Sequence, residues 1–257
     1  MERRRRNWKT NTFFLIVLWL ILLIASVTIL SSVVTPFLKS LQTETLVSFD
    51  WSGYGVSSNV LLPSPLVNNV SASWKVPLVA VSASNTFSAA WIGVGGQGDS
   101  TLIQVGSEHD SGGGRASYSL WYEMLPADSV TIPMIVVDPG DTISASINLV
   151  DSNLHQWMIQ ITDVTKGQPF SQIFTYNSTR LTAEWIVERP TVNNQLSNLA
   201  NFGSITFTHI QAAVDGKTGT LTAFPNFEIF MQNRQNTNLV SVSSFSKDGS
   251  SFTVNYG

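Results

Sequence analysis

Three short segments of the sequence combine residue types that could do chemistry. The first is Ser107-Glu108-His109-Asp110, which holds the residue types of a serine hydrolase triad. Neighbouring residues on an extended chain point to opposite faces, so these side chains should not line up as nucleophile, base and orienting acid. The sequence also lacks a G-x-S-x-G nucleophile elbow. The segment therefore does not predict a serine hydrolase.

The second segment, GVGGQG from Gly93 to Gly98, matches the dinucleotide-binding fingerprint letter for letter. That fingerprint needs a helix after the glycines to receive the pyrophosphate, whereas the following STLIQV is typical of a strand. We therefore expect a hairpin connection here and no cofactor. His109, His155 and His209 are far apart and show no ligand spacing, so we expect surface or loop positions for them and no metal site.

The third segment, AEWIVE, ends at Glu188 and places Glu184, Ile186 and Glu188 on one face of a strand. Taken alone, this alternation predicts an acidic, solvated face opposite a core face of Trp185 and Val187. The segment is also similar to the E-x-D-x-E strand of laminarinase-type glucanases, with Ile186 replacing the central acid. Carboxylates four residues apart on a strand are about 13 Å apart, whereas retaining glycosidases need about 5–5.5 Å. A glycan-cleaving enzyme is therefore the second hypothesis.

The chain begins with a basic and apolar segment. Residues 1–40 carry six Lys or Arg and one acid and sum to +5, whereas residues 41–257 sum to −8. Phe13 to Leu30 contains no charge and meets the roughly 18-residue length of a membrane-spanning helix. The basic flank predicts a cytoplasmic N-terminus. We expect a single-pass cell-membrane protein with its C-terminal domain outside, or a secreted protein if the segment is a cleaved signal peptide.

Short apolar and aromatic runs separated by turn residues make up the rest of the chain. We divide it into residues 1–34, the basic flank and membrane segment, residues 35–48, a stalk, and residues 49–257, an extracytoplasmic domain. The runs lack sustained helical periodicity and predict an all-β fold, a sandwich of two antiparallel sheets of jelly-roll or lectin-like type. The C-terminal segment predicts a hairpin around Asp248-Gly249.

Composition excludes several function classes. The chain has no cysteine, which excludes thiol nucleophiles, Cys-based zinc sites and disulfides. Charged residues make up only 12% of the chain, and the acidic C-terminal part has no basic patch, so we expect no nucleic-acid partner. We expect a monomer.

The order of motifs indicates a family. From about residue 50 to 210 the chain reads WSGYGV, SASWKVP, AAWIGVGG, LIQVG, LWYEMLP, VDPGDTI, AEWIVERP and NFGSITFT. This series resembles the glutamic peptidase family, the acid endopeptidases first known from fungi. The resemblance implies a sandwich of two large antiparallel sheets with a substrate groove, which agrees with the strand rhythm. It further implies hydrolysis of protein or peptide substrates without a metal or cofactor.

The resemblance also implies the site residues. The family's catalytic glutamine and glutamate match Gln104 of LIQVG and Glu188 of AEWIVE. A glutamate ionised near its ordinary pKa of ~4.3 could take a proton from an attacking water and return it to the leaving amine. A carboxamide could orient that water and donate its N–H to the oxyanion. Trp51, Trp91 and Glu123 are implied to line the groove and contact the substrate.

The sequence departs from the family pattern in identifiable places. Gly95 stands where the family's W-[IV]-G-I-D-G has an acid, and the fungal disulfides are absent. Glu184 is expected to support the site or to face solvent. The first hypothesis is thus a glutamic-type acid endopeptidase, and the alternatives are a β-sandwich glycoside hydrolase and a non-catalytic surface binding module.

Overall fold

The structure, a computed structural model, describes residues 44–257. The basic flank and predicted membrane segment at residues 1–34 lie outside the described residues, as does most of the predicted stalk. Across residues 44–257, no helix has the length and apolar character needed to cross a bilayer. The helix within this range is a single 3-10 turn, Leu221–Ala223.

Eight strands form the first sheet. In spatial order they are β1 (Glu44–Ser48), β16 (Asn226–Met231), β2 (Trp51–Ser57), β11 (Thr182–Glu188), β4 (Ala89–Gly95), β5 (Leu102–Gly112), β6 (Arg115–Met124) and β7 (Val130–Thr131). Neighbouring strands are antiparallel, except that β1 runs parallel to β16. Strand β1 coincides with the last five residues of the predicted stalk, so the chain joins the sheet before Trp51.

The second sheet packs against the first. In spatial order its strands are β10 (Gln168–Thr175), β9 (Gln156–Asp163), β8 (Thr142–Asp151), β3 (Val67–Lys75), β14 (Ser204–Val214), β18 (Phe252–Tyr256) and β17 (Val240–Val242), with β15 (Lys217–Gly219) beside β14. Strands β17 and β18 form the predicted C-terminal hairpin, in which Val242 lies opposite Val254. The prediction of an all-β sandwich with two main antiparallel sheets is confirmed.

The main core lies between the two sheets. Alternate residues of each strand point into it, as the period of two along a strand requires. Trp185 of β11, Trp74 of β3, Trp157 of β9 and Phe207 of β14 are all fully buried there. Burial of these large aromatic side chains supplies much of the apolar surface that stabilises a domain without disulfides.

The other side of the first sheet, which we call the outer face, is also buried along its centre. A second apolar cluster, which includes Trp91, Ile186, Phe227 and Leu102, covers it. The prediction of a solvated acidic face on β11 is therefore wrong. Ile186 is fully buried within this cluster, and Glu184 on the same face is 0% exposed. Side chains from strands distant in sequence cover a face that the local alternation marks as polar.

Glycines make room for the aromatic rings on the outer face. A Cβ on Gly106 would lie 2.4 Å from the Ala90 carbonyl oxygen and 2.6 Å from Trp91 Cβ. A Cβ on Gly55 would lie 2.1 Å from the Phe227 ring. These distances are too short for any side chain, so the bare backbone at these positions lets the rings lie against the sheet.

Candidate active site

A groove of about 570 Å³, which we call the first groove, opens over the outer face of the first sheet. Four of the five residues expected in the site line it: Gln104, Glu188, Glu123 and Trp51. The fifth, Trp91, is fully buried and lies beneath the floor. The sheet thus gathers residues from strands β2, β5, β6 and β11.

The strand register explains how these side chains meet. Gln104 on β5 lies opposite Glu123 on β6, so the two share one face. Strand β4 runs between β5 and β11, and it presents Gly93 opposite Gln104 and Ala89 opposite Glu188. The missing Cβ of Gly93 leaves room for the side chains of Trp91 and Leu102, each of which has an atom 2.9 Å from where that Cβ would lie.

A hydrogen bond from Trp91 fixes the Glu188 carboxyl group. Trp91 Nε1 donates to Glu188 Oε2 over 2.6 Å. The Trp51 ring packs edge-on against Trp91, with centroids 4.9 Å apart and planes at 79°. Trp51 forms part of the groove wall, as the resemblance implies, whereas Trp91 positions the carboxyl group from below.

The surroundings of Glu188 shift the pKa of its carboxyl group. Burial raises the pKa of Glu188 to about 8, against the opposing effect of the Trp91 hydrogen bond, and the nearby charges of Asp50 and Glu123 raise it further. Burial thus favours the neutral form of the Glu188 carboxyl group in the acidic range.

Gln104 is only 4% exposed and makes one side-chain hydrogen bond. Its Nε2 donates to Glu123 Oε2, and its Oε1 is buried without a protein partner. Burial raises the pKa of Glu123, while the hydrogen bond from Gln104 lowers it. The carboxamide oxygen is thus an unused acceptor in the groove, where a water or a substrate N–H could donate to it.

Other lining residues did not emerge from the sequence. Glu108 lies four residues after Gln104 on β5, on the same face, and Trp121 lies two residues before Glu123 on β6. Strand periodicity around the expected residues could have identified both. Asp50 also lines the groove but precedes β2, and no sequence signal marks it.

A small hairpin forms one rim of the groove. Strands β12 (Thr191–Val192) and β13 (Gln195–Leu196) pair across a two-residue turn, and we call residues 190–197 the rim hairpin. Asn193 and Asn194 have φ of 51° and 60°. Two successive positive φ values belong to the tight turn that suits a two-residue hairpin, and asparagine tolerates them well.

Glu184 and Gly95 lie away from the first groove. The Glu184 carboxyl group is fully buried, beside Thr182 and the Gln97 backbone. Burial raises its pKa well above the ordinary value, so the group is held neutral and does not face solvent. Gly95 has φ +88°, and a Cβ there would lie 2.4 Å from the Thr101 carbonyl oxygen. An acid would not fit at this position.

The Ser-Glu-His-Asp segment contributes a buried hydrogen-bond chain. Trp74 Nε1 donates to Ser107 Oγ over 2.8 Å, and Ser107 Oγ lies 2.7 Å from His109 Nε2. All three are buried, so the expected surface position of His109 is wrong. His155 and His209 are exposed. Among the described residues, no group of His, Asp and Glu is arranged to hold a metal ion.

Comparison with known proteins relates this geometry to fungal peptidases. The chain is 28% identical over 173 residues to aspergillopepsin-2 of Aspergillus niger, across 65% of this chain and 58% of that protein. It is 28% identical over 159 residues to scytalidopepsin B of Scytalidium lignicola, across 60% of this chain and 56% of that protein. The chain thus spans less than two thirds of the length of these relatives.

Solved structures have the same fold. Aspergilloglutamic peptidase from Aspergillus niger aligns with a TM-score of 0.59 and 26% identity, over 67% of this chain and 99% of that one. Scytalido-glutamic peptidase, crystallised with a transition state analog inhibitor, aligns with a TM-score of 0.68 and 23% identity, over 82% and 99%. None of these matches supports the glycan-cleaving alternative. The model of the peptidase A4 family matches residues 50–256, and the chain belongs to that family.

Proposed function

We propose that this protein is a glutamic-type endopeptidase that cleaves protein or peptide substrates at acidic pH. The observation that carries the proposal is that Gln104 of β5 and Glu188 of β11 line one groove, with β4 between their strands. Membership of the peptidase A4 family supports it. The open groove suits an extended polypeptide, whose backbone presents a carbonyl group and an N–H at each residue.

The protonation state of Glu188 sets the order of steps. Neutral Glu188 donates its proton to the scissile carbonyl oxygen while a water held by Gln104 Oε1 attacks the carbon. The resulting carboxylate takes a proton from the added water, which gives a neutral diol. Glu188 then protonates the amide nitrogen, the C–N bond breaks, and the proton of a diol hydroxyl returns to Glu188. One residue thus acts in turn as acid and base.

Trp91 and Gln104 stabilise the charged stages of this cycle. The indole N–H stays bonded to Glu188 when the carboxylate forms, and hydrogen bonds to an anion are stronger than those to a neutral group. Gln104 does not titrate, so it presents the same acceptor and donor groups at every acidic pH.

The proposed place of action is outside the cytoplasm. The support is the sequence of residues 1–40, with its charge of +5 and the uncharged run from Phe13 to Leu30. If the segment is retained, the protein stays bound to the membrane. If the segment is cleaved, the protein is secreted. Mass measurement of the mature N-terminus distinguishes a membrane-bound protein from a secreted one.

Variants of the pair test the proposal. With a denatured protein as substrate at pH 3–5, Glu188→Gln should lower kcat/KM by about 10³-fold or more, and Gln104→Ala by about 10²–10³-fold. Matched controls are Glu228→Gln and Gln160→Ala, which change the same residue types away from the groove.

Three outcomes contradict the proposal. Proteolysis that persists in both site variants removes this pair from catalysis. Cleavage of a β-glucan but not of protein indicates the glycosidase alternative. Binding of peptides without any turnover, in the wild-type protein, indicates a non-catalytic module.

A further inference from the structure

A second groove, also of about 570 Å³, lies next to the first. Residues 190–193 line the first groove, whereas residues 194–198 line the second. The tip of the rim hairpin therefore stands between them. The second groove has no acidic lining residue. It is lined chiefly by two arginines and five amide side chains: Arg189, Arg234, Asn194, Gln195, Asn198, Asn233 and Gln235.

Arg189 connects the two grooves. It directly follows Glu188, its backbone N–H donates to the Asp50 carbonyl oxygen over 2.7 Å, and its Nη2 donates to the Phe49 carbonyl oxygen over 2.8 Å. The N–H donors of the Arg189 guanidinium group are not all paired, because the buried Nε has no protein acceptor. The guanidinium group is therefore held in place with hydrogen-bonding capacity to spare.

Arg234 brings a second cation to the same groove. It is exposed in the turn after β16, where Asn233 Oδ1 accepts from the backbone N–H groups of Gln235 and Thr237. Burial lowers the pKa of Arg189, the charge of Asp50 opposes this effect, and the charge of Arg234 adds to it. The two cations are thus close enough to repel each other.

Neither arginine has a carboxylate partner within ion-pair distance. Over residues 44–257, the ion pairs all belong to Lys166 and its three aspartates. In a region whose formal charge is −8, two adjacent unpaired arginines surrounded by amides form a locally cationic site. Guanidinium groups bind oxyanions through paired N–H donors, and amides add further donors.

We propose that the second groove is a subsite for an anionic group of the polypeptide substrate, best filled by a phosphorylated residue. This inference rests on the proposed peptidase function, since it assumes that the rest of the substrate lies in the first groove. Arg189 adjoins Glu188, so an extended peptide crossing the rim hairpin can reach both grooves.

Acidic working conditions favour phosphate over carboxylate. At pH 3.5 an ordinary Asp or Glu, with a pKa near 3.9 or 4.3, is mostly protonated. As pH falls, a phosphate monoester loses its second negative charge near pH ~6. It keeps its first negative charge at pH 3–4. A phosphorylated side chain therefore presents a charge to the arginines where a carboxyl group largely does not.

A peptide series tests the proposal. Each peptide has one cleavage site and carries Ser, Asp or phosphoserine at one position, which is moved stepwise along both sides of the scissile bond. At pH 3.5 and low salt, the kcat/KM ratio of phosphoserine to Ser peptide should reach about tenfold at one position. The Asp peptide should show a smaller ratio, and added salt should lower both.

Variants assign this preference to the second groove. Arg234→Gln should bring the phosphoserine-to-Ser ratio close to one, whereas Lys217→Gln, which removes an exposed cation outside the groove, should leave the ratio intact. A ratio below twofold at all positions overturns the proposal. A phosphoserine-to-Ser ratio that Arg234→Gln and Lys217→Gln lower equally also overturns the proposal. A preference for Asp over phosphoserine at pH 3.5 overturns it as well.

Failure of the peptidase function is measured separately. If the wild-type protein does not cleave the Ser peptide, the proposed function fails. Binding of the same peptides to the Glu188→Gln variant still tests the subsite. This binding is monitored by tryptophan fluorescence. Tighter binding of phosphoserine than Ser peptide, with competition by inorganic phosphate and loss in Arg234→Gln, supports it. Equal binding of the two peptides overturns it.

Discussion

At the scale of single residues, the proton on Glu188 determines what the site can do. The groove walls and neighbouring acids raise the pKa of this carboxyl group, and the Trp91 hydrogen bond only partly opposes them. A glutamate in water would lose its proton near pH ~4.3. Here burial favours the neutral acid well above that pH.

The pH profile of wild-type activity should reflect this shift. Since neutral Glu188 starts the proposed reaction, kcat/KM for an uncharged peptide should persist below pH 4 and fall as pH rises toward the Glu188 pKa of about 8. Initial rates at low substrate concentration from pH 2 to 9 measure it. Loss of activity below pH 4 with a midpoint near ~4.3 would indicate an ionised base of ordinary pKa instead.

Replacement of Trp91 tests the origin of the Glu188 pKa. Trp91→Phe removes the N–H that favours the carboxylate, so the alkaline limb of the profile should move to higher pH and kcat/KM should fall about tenfold or more. The measurement is the pH profile of kcat/KM.

Trp185→Phe is the matched control for this variant. Trp185 is equally buried, but its Nε1 donates to the Ser71 carbonyl oxygen in the main core. The Trp185→Phe variant should be less stable than the wild-type protein, but the alkaline limb of its kcat/KM profile should not move. Equal displacement of the limb in both variants would show that general loosening of the sheet, rather than the lost hydrogen bond, shifts the Glu188 pKa.

At the scale of elements, sequence periodicity predicted the strands well. The AEWIVE segment lies within strand β11, as its alternation predicts, and β17 and β18 form the predicted C-terminal hairpin. Alternation also assigned Trp185 and Glu188 to opposite faces. It did not predict that the acidic face is buried, because Phe227, some forty residues later in the chain, helps to cover it.

The site was predictable in part for a related reason. The order of motifs identified Gln104 and Glu188, and the structure places both in the first groove. The rim hairpin and the second groove depend on contacts between distant segments, such as Arg189 with Phe49. Local periodicity contains no information about such contacts, so neither feature could be derived from the sequence.

The tip of the rim hairpin should influence substrate binding more than turnover. Asn194→Val places a β-branched residue at φ 60°, which costs about 1–2 kcal/mol and should loosen the rim. We expect KM to rise several-fold with a smaller change in kcat, measured on a neutral peptide. Asn194→Gly keeps the turn accessible and should stay near wild type. Equal effects of both variants would point to a lost side-chain contact.

At the scale of the whole molecule, raised carboxyl pKa values point to a domain built for acid. Burial is the largest cause for all five groups. The pKa of Asp110 and of Glu188 rises to about 8, that of Glu184 rises well above the ordinary range, and those of Glu123 and Glu228 are also raised. The folded state therefore holds protons that the unfolded chain has already lost.

Stability should consequently fall as pH rises. Between about pH 4.5 and 8 the folded state binds more protons than the unfolded chain, so the free energy of unfolding decreases across this window. His109 acts oppositely, because burial lowers its pKa to about 3 and costs stability as pH falls from 6.5 toward 3. We expect Tm at pH 5 to exceed Tm at pH 9 by at least about 5 °C.

Glu184 tests the cause of this pH dependence. Glu184→Gln removes a buried group that must ionise at high pH, so the difference in Tm between pH 5 and 9 should shrink. Asp215→Asn, at an exposed turn, is the matched control and should keep the wild-type difference. An unchanged difference in Glu184→Gln would show that other groups determine the pH dependence.

The glycines of the outer face limit how this protein can diversify. Gly55 and Gly106 face a ring or backbone at distances that admit no Cβ, so the outer face can hardly accept substitution at these positions. The rim hairpin and the turn that carries Arg234 have no such constraint. If the proposed function holds, new substrate preferences, whether they arise by natural drift or by laboratory selection, should therefore come from the rim while the outer face stays the same.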